Sequence, residues 1–398
     1  MALLAGCSPA AEKTTAPPPQ PPPPARTEAL GGGLPPFYST IPDPDGVAPG
    51  TILASEPIAL ATLPNRAFRV AYSSRSVDDH PIAVTGLVIL PNGTAPPGGW
   101  PILSWAHSTT GIGDRCAPST DPSRMLPAQP ILAAGYAFVA TDYEGLGTIG
   151  RHPYLVGASE ARSTLDIALA ASRVPDWSMS RHVAVWGHSQ GGHAALFTTT
   201  IAERYAPEIL VEAIVAGAPA SGLDSFAMDA TVTTEPFPIM VGLGFNGIDP
   251  ERLPLDAALS DAGVELAVRS TQACNADLYA AIGAMAPNTA LAKTPPSEEW
   301  RSMLRANDPL FIDTPSSVPT LILHGDADDL IPAQNSVEVL RRFCALGRPT
   351  ELWLGLGTDH TTVVRATLPS MVRWISARLG AGPDDQIVPD PGVQRSTC

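Results

Sequence analysis

The chain has 398 residues, 44% of them hydrophobic, enough to bury a large core in one big domain with an insertion or in two ordinary domains; it is no small stapled scaffold. Its 24 Lys and Arg against 39 Asp and Glu leave a formal charge of −15, which repels phosphate backbones and argues against nucleic acid as a partner. No run of about 18 apolar residues occurs, so no membrane-spanning helix is expected.

In chain order, Leu4-Ala5-Gly6-Cys7 resembles a bacterial lipobox, in which the cysteine becomes the acylated first residue of a cell-envelope lipoprotein. Only three residues precede Leu4, so the stretch is either the tail of a longer signal or a chance match. Pro17-Pro18-Pro19, Pro21 to Pro24 and Gly31-Gly32-Gly33 cannot build a packed core, so residues 1–50 are expected to be signal remnant and disordered linker. Acylation of Cys7 would then tether the chain to a membrane.

From residue 51 the pattern changes. Residues 68–72 and 82–90 read as antiparallel leading strands, the second closed by Pro91-Asn92-Gly93. Strands follow at 101–105, 136–141, 183–186, 211–217, 319–324 and 351–355. Between them fall helices near 158–174, where Ala161, Leu165, Ala168, Leu169 and Ser172 keep helical spacing, and near 190–204, 333–346 and 361–379. Short apolar strands alternating with helices predict an α/β fold, a mostly parallel sheet covered on both faces. Residues 220–312 break the rhythm, with Phe226, Phe237, Met240, Phe245 and Tyr279 scattered among Gly, Pro and Ala. So long a stretch inside a regular α/β chain is better read as an inserted cap than as a loop, which leaves 51–219 and 313–398 as the core.

Gly187-His188-Ser189-Gln190-Gly191 fits Gly-x-Ser-x-Gly, the nucleophile elbow of the α/β-hydrolase fold. Its context fits too: the apolar run Val183 to Trp186 enters it, and the small residues Gly191, Gly192, Ala194 and Ala195 leave it. A serine hydroxyl is a poor nucleophile until a base takes its proton, so a histidine oriented by a carboxylate is required, in the chain order Ser, acid, His. Beyond Ser189 the histidines are His193, inside the elbow helix, His324, ending a strand ahead of the acid turn, and His360, in a loop after a strand. His360 is the candidate base. For the acid, Asp326, Asp328 and Asp329 compete in one turn. That segment resembles the Gly-x-x-Asp-x-x-Val-Pro turn of the superfamily, and placing Gly325 on its Gly makes Asp328 the acid, with Asp326 the alternative.

A tetrahedral oxyanion needs about two preorganised N–H donors. Gln190, after the nucleophile, should supply one from its backbone. The second is expected from the loop after Trp105, at Thr109 or Thr110, because His107-Ser108 stands where many relatives carry His-Gly. The alternative is that these are only turn residues rich in hydroxyls. Asp142-Tyr143-Glu144 either shapes the substrate pocket or holds its own loop by hydrogen bonds.

The cysteines Cys7, Cys116, Cys274, Cys344 and Cys398 show no Cys-x-x-Cys spacing, so no structural zinc site is expected. Without Cys7, four remain, and three disulfide connectivities are open.

These residues together resemble the secretory lipase family. The resemblance rests on Asp114-Arg115-Cys116-Ala117-Pro118-Ser119, Thr141-Asp142-Tyr143-Glu144-Gly145-Leu146-Gly147, the segment from Gly187 to His193, the acid turn and Asp359-His360, and covers most of residues 65 to 380. It implies an α/β-hydrolase with a helical cap, cleaving acylglycerols or simpler carboxylic esters through an acyl-enzyme, without cofactor or metal, in an exported protein. It also implies disulfides pairing Cys116 with Cys274 and Cys344 with Cys398. The elbow differs from the Tyr-Ser-Gly form of the fungal members. Two other readings are a serine peptidase of the same fold, since a triad does not choose between ester and amide, and a non-catalytic surface binding protein.

Overall fold

The structure is a computed structural model that describes residues 32–60, 63–122, 128–224, 236–285, 297–380, 387 and 389–398. Cys7 and the rest of the expected signal remnant and linker up to residue 31 lie outside the described residues. Ten strands form one sheet: β1 (Ile52–Leu60), β2 (Leu63–Arg75), β3 (Pro81–Ile89), β4 (Trp100–Ala106), β5 (Ala137–Thr141), β6 (Met179–His188), β7 (Leu210–Gly217), β8 (Thr320–Gly325), β9 (Thr350–Gly355) and β10 (Val393–Thr397). Their spatial order is β1-β2-β3-β5-β4-β6-β7-β8-β9-β10. The strands from β5 to β9 run parallel, while β1, β2, β3 and β10 pair antiparallel at the two edges. The fold is the α/β-hydrolase fold.

The central strands read as unbroken apolar runs because both of their faces are buried. Successive residues alternate between two cores. Ile102, Val139, Val183, Val185, Ile214 and Ile322 face α2 (Gly157–Ser172), α3 (Gln190–Tyr205) and α8 (Ala333–Ala345). Leu103, Trp105, Phe138, Trp186, Leu321 and Trp353 face α1 (Ala128–Ala133) and α9 (Thr362–Arg378). Each large side chain taken from water this way contributes roughly 1.5–3 kcal/mol, so the sheet is a rigid platform for whatever its loops carry.

The stretch read as linker packs before it reaches the sheet. Around the short 3₁₀ turn Pro36–Thr40, Phe37 and Tyr38 are buried; the Tyr38 hydroxyl shares a 2.6 Å hydrogen bond with Ser119, and the Arg69 guanidinium lies over its ring. Two aromatics anchor a segment whose proline content suggested a free tail. At the other edge the polar β10 is held by backbone pairing to β9, by Arg395 on Glu351 at 2.8 Å, and by the Cys344–Cys398 disulfide. Glu351 also accepts from Trp353 and Trp374 indole N–H groups and from Arg378, so this edge carboxylate is fully partnered.

Between β7 and β8 the described residues form helices and no strand: α4 (Phe237–Asn246), α5 (Asp261–Arg269), α6 (Asn275–Gly283) and α7 (Glu298–Ala306). All of α4 but Asn246 is buried, which is why it shows no amphipathic period. The others span only nine residues each. Ser260 and Ser297 cap α5 and α7, accepting from Gly263 and Trp300 N–H. These helices enclose a separate core with Phe237, Met240, Phe245 and Trp300, to which Tyr154 and Ile331 of the sheet loops contribute. Asp308 joins the two roots of the insertion, accepting from the N–H groups of Gly222, Leu223 and Leu310 at 2.7–3.0 Å.

Two buried carboxylates predict an unusual pH dependence of stability. Burial pushes Asp166 of α2 up to about 7 and Asp142, after β5, up to about 6, from an ordinary 3.8. A raised folded value means the neutral acid is favoured in the fold, so this contribution is complete below about pH 4 and is lost as pH rises through the folded value. Asp166→Asn, which keeps an acceptor for the Tyr205 hydroxyl (2.7 Å), should therefore gain in melting temperature relative to wild type as pH rises from about 4 to 7 in calorimetric scans. Parallel slopes for the two proteins would show that Asp166 is not the group responsible.

Candidate active site

Strand β6 delivers Ser189 into a tight turn ahead of α3, with φ 58° and ψ −117°. A non-glycine residue in this left-handed region is held there by its surroundings. Backbone bonds supply the constraint: Ser189 N–H donates to Gly217 O at 2.8 Å, and Ser189 O accepts from His193 and Ala220 N–H. The motif glycines are needed for clearance. A Cβ on Gly187 would strike the Gly191 carbonyl oxygen, and one on Gly191 would strike that of Ala106. Ser189 is buried, 7% exposed.

The acid turn after β8 and the loop after β9 bring Asp328 and His360 together, with His360 Nδ1 donating to Asp328 Oδ2 at 2.7 Å. Asp328 Oδ1 accepts from Leu330 and Ile331 N–H, both at 2.9 Å. Burial alone would raise this carboxyl, but hydrogen bonds from His324 and His360 outweigh it and hold Asp328 well below the usual carboxylate range. Asp326 is exposed and accepts from Gly357 N–H at 2.6 Å, as a turn carboxylate does; it does not meet His360.

Gln190 opens α3, so its N–H is among the amides that a helix start leaves without an intrahelical partner. Its side chain turns away, donating to Glu160 Oε1 (2.8 Å) and to His152 Nε2 (2.9 Å). The His152 ring is held neutral by burial, lowered to about 3, which leaves Nε2 free to accept while Nδ1–H serves Glu144 O. In the loop after β4, the Thr109 hydroxyl is engaged with Tyr154 OH at 2.8 Å, whereas the Thr110 hydroxyl oxygen is buried without a partner among the described residues.

That loop is stitched to the insertion. Asn275 N–H donates to Thr110 O at 2.8 Å, Ile112 N–H to Ala273 O at 3.2 Å, and Gly111 bridges Cys274. Cys116 and Cys274 form a disulfide across a separation of 158 residues, Cα–Cα 5.3 Å; Cys344 and Cys398 form the other. Bridges closing loops this long typically contribute about 2–4 kcal/mol. Asp142, Tyr143 and Glu144 are all buried and hold their own loop: Asp142 accepts from Thr85 Oγ1 and Ser119 N–H, Tyr143 OH donates to His107 O, and Glu144 accepts from Ser159 Oγ.

Besides His152, three histidines other than His360 join the site, and sequence reasoning gave none of them a role. His188 Nε2 donates to His360 O at 2.7 Å and its Nδ1 faces Ser108 Oγ at 2.9 Å, so one ring ties the base loop to the loop after β4. Burial, then the neighbouring His360, lowers His188 to about 4, so it stays neutral in this role. His193 Nδ1 meets Glu160 Oε2 at 2.7 Å and its Nε2 meets Asn307 O at 2.6 Å, linking the elbow helix to the end of the insertion. His324 contacts Asp328 from behind. Among the described residues no group of His, Cys, Asp and Glu is arranged to hold a metal ion.

The profile describing secretory lipases matches residues 122–386, more than half of the chain. A Mycobacterium tuberculosis protein named "Probable inactive lipase" is 25% identical over 373 residues, covering 87% of this chain and 82% of that protein. Lipase A of Moesziomyces aphidis is 24% identical over 345 residues, covering 78% and 72%. The crystal structure of Candida antarctica lipase A in its closed state gives a TM-score of 0.70 at 19% identity, covering 91% of this chain and 88% of that one, a likeness of fold. The chain belongs to the secretory lipase family.

Proposed function

We propose that the chain is a serine carboxylester hydrolase in which Ser189 attacks the ester carbonyl, His360 takes the serine proton and later returns it to the leaving alcohol, and Asp328 orients and stabilises the imidazolium. The observation that carries this reading is the 2.7 Å Asp328–His360 pair beside an elbow that strains Ser189 into the left-handed region. The N–H of Gln190 and the Thr110 residue, whose hydroxyl has no partner among the described residues, are the candidate oxyanion donors. The helices of residues 220–312, joined to the Thr110 loop by a disulfide, supply the apolar roof for the acyl chain. Two disulfides suit an exported protein maturing in an oxidising compartment.

The Mycobacterium tuberculosis relative, named an inactive lipase, favours a second reading in which the chain binds esters without turning them over. A fluorophosphonate probe separates the two. Labelling at the Ser189 peptide, with turnover of p-nitrophenyl esters from acetate to palmitate, is the expected result. An unlabelled Ser189 with no ester turnover would favour the binding protein, and preferential cleavage of peptide anilides would favour a peptidase.

A further inference from the structure

We infer that His324 is a positioning residue for the acid, sharing Asp328 with His360 and thereby moderating how strongly the carboxylate holds a proton on the base. This rests on the catalytic reading of Ser189, Asp328 and His360. Asp328 Oδ2 receives two imidazoles, His360 Nδ1 at 2.7 Å and His324 Nε2 at 3.0 Å, while Oδ1 is saturated by two backbone amides. His324 is the last residue but one of β8 and its side chain is completely buried. Its Nε2 also faces Ile331 O at 2.9 Å, so the ring hydrogen belongs on Nε2, where it is shared between that carbonyl and Asp328 Oδ2, and Ser336 Oγ of α8, 2.7 Å from Nδ1, donates to complete the tautomer.

A hydrogen bond to one lone pair of a carboxylate oxygen spreads charge that would otherwise fall on the other partner. With both donors present, Asp328 is fixed at both oxygens and only part of its charge bears on His360. Removing the His324 donor has two consequences of different kind. The carboxylate is less firmly placed, which lowers turnover. More of its charge bears on His360, which favours the imidazolium and moves the acid limb of kcat/KM to higher pH. The other titratable groups around the pair are His188, Asp359 and Asp326. The His188 ring centroid is 4.7 Å from that of His360; Asp359 accepts from Thr361 and Thr362 N–H; Asp326 is bonded to Gly357 N–H. All three keep their partners in the variants below.

The test compares His324→Leu, His324→Gln and Ser336→Ala with wild type. His324→Leu should lower kcat about tenfold or more, the scale of one hydrogen bond to a charged group, with KM within about twofold. Its acid limb should rise by roughly half a pH unit or more. His324→Gln, which restores an N–H donor, should recover much of both effects, and Ser336→Ala should shift the limb in the same direction by less. If the limb in His324→Leu and Ser336→Ala coincides with wild type, His324 only fills space and the inference is overturned. Should His324→Leu fail to fold, the limb of Ser336→Ala decides alone, a shift supporting the role and coincidence overturning it. Ser189→Ala distinguishes the levels: an active Ser189→Ala overturns the catalytic reading and this inference with it, whereas an inactive one beside an unmoved limb overturns only the role of His324.

Discussion

Replacing Ser189 by alanine is expected to lower ester hydrolysis by at least about 10⁴-fold while leaving the melting temperature nearly unchanged. The loss follows from removing the only atom that forms the acyl bond; eliminating one member of a serine triad costs on the order of 10⁶ in turnover in the comparable case, with residual rate from the oxyanion donors and binding. The fold should survive because the elbow is built from backbone. Ser189 N–H to Gly217 O, and His193 and Ala220 N–H to Ser189 O, are all kept by alanine. Alanine bears the positive φ no worse than serine does, and little packed volume is lost. Initial rates on p-nitrophenyl butyrate beside near-ultraviolet circular dichroism make the measurement. Activity above about a hundredth of wild type in a folded variant would refute the assignment of the nucleophile.

The second large effect separates two neighbouring aspartates. Asp328→Asn should cost on the order of 10⁴ in kcat, because an amide facing His360 Nδ1 offers either no charge or an N–H that forces the wrong tautomer. Asp326→Asn should cost less than about threefold, since its side chain is exposed and an amide oxygen still accepts from Gly357 N–H. The contrast should hold throughout neutral pH. A depressed carboxyl gives its folding contribution above the ordinary aspartate range and loses it only as pH falls through the lowered folded value, so Asp328 is charged wherever the base works. A more damaging Asp326→Asn would mean that the acid is assigned to the wrong aspartate.

Much of this was legible in the sequence for identifiable reasons. The central strands are buried on both faces, so Val183 to Trp186 and Leu321 to Leu323 announce themselves by composition alone. The elbow is legible because sterics leave only glycine at positions 187 and 191. Elements stabilised by partners and not by their own pattern were invisible. Strand β10, Val-Gln-Arg-Ser-Thr, is polar and pairs along one edge; β1 carries Glu56 and Pro57 within its run; the buried Phe37-Tyr38 pair sits in a proline-rich stretch. The site shows the same division. Ser189 and His360 follow from motif and chain order, whereas the contacts of His188, His193 and His324 join residues 33 to 172 positions apart or fold back across a turn, which no local pattern encodes.

The carboxylate of Asp308 has a consequence for how such a molecule can diversify. By holding Gly222, Leu223 and Leu310 at one point, it makes the chain leave the sheet and return through a single doorway. Whatever lies between can lengthen, shorten or be exchanged at little entropic cost, since doubling a closed loop adds only about 0.6 kcal/mol. A lineage keeping this doorway, with a cysteine to pin the segment against the Thr110 loop, can exchange the helices between its two roots while Ser189, Asp328 and His360 stay where the sheet put them.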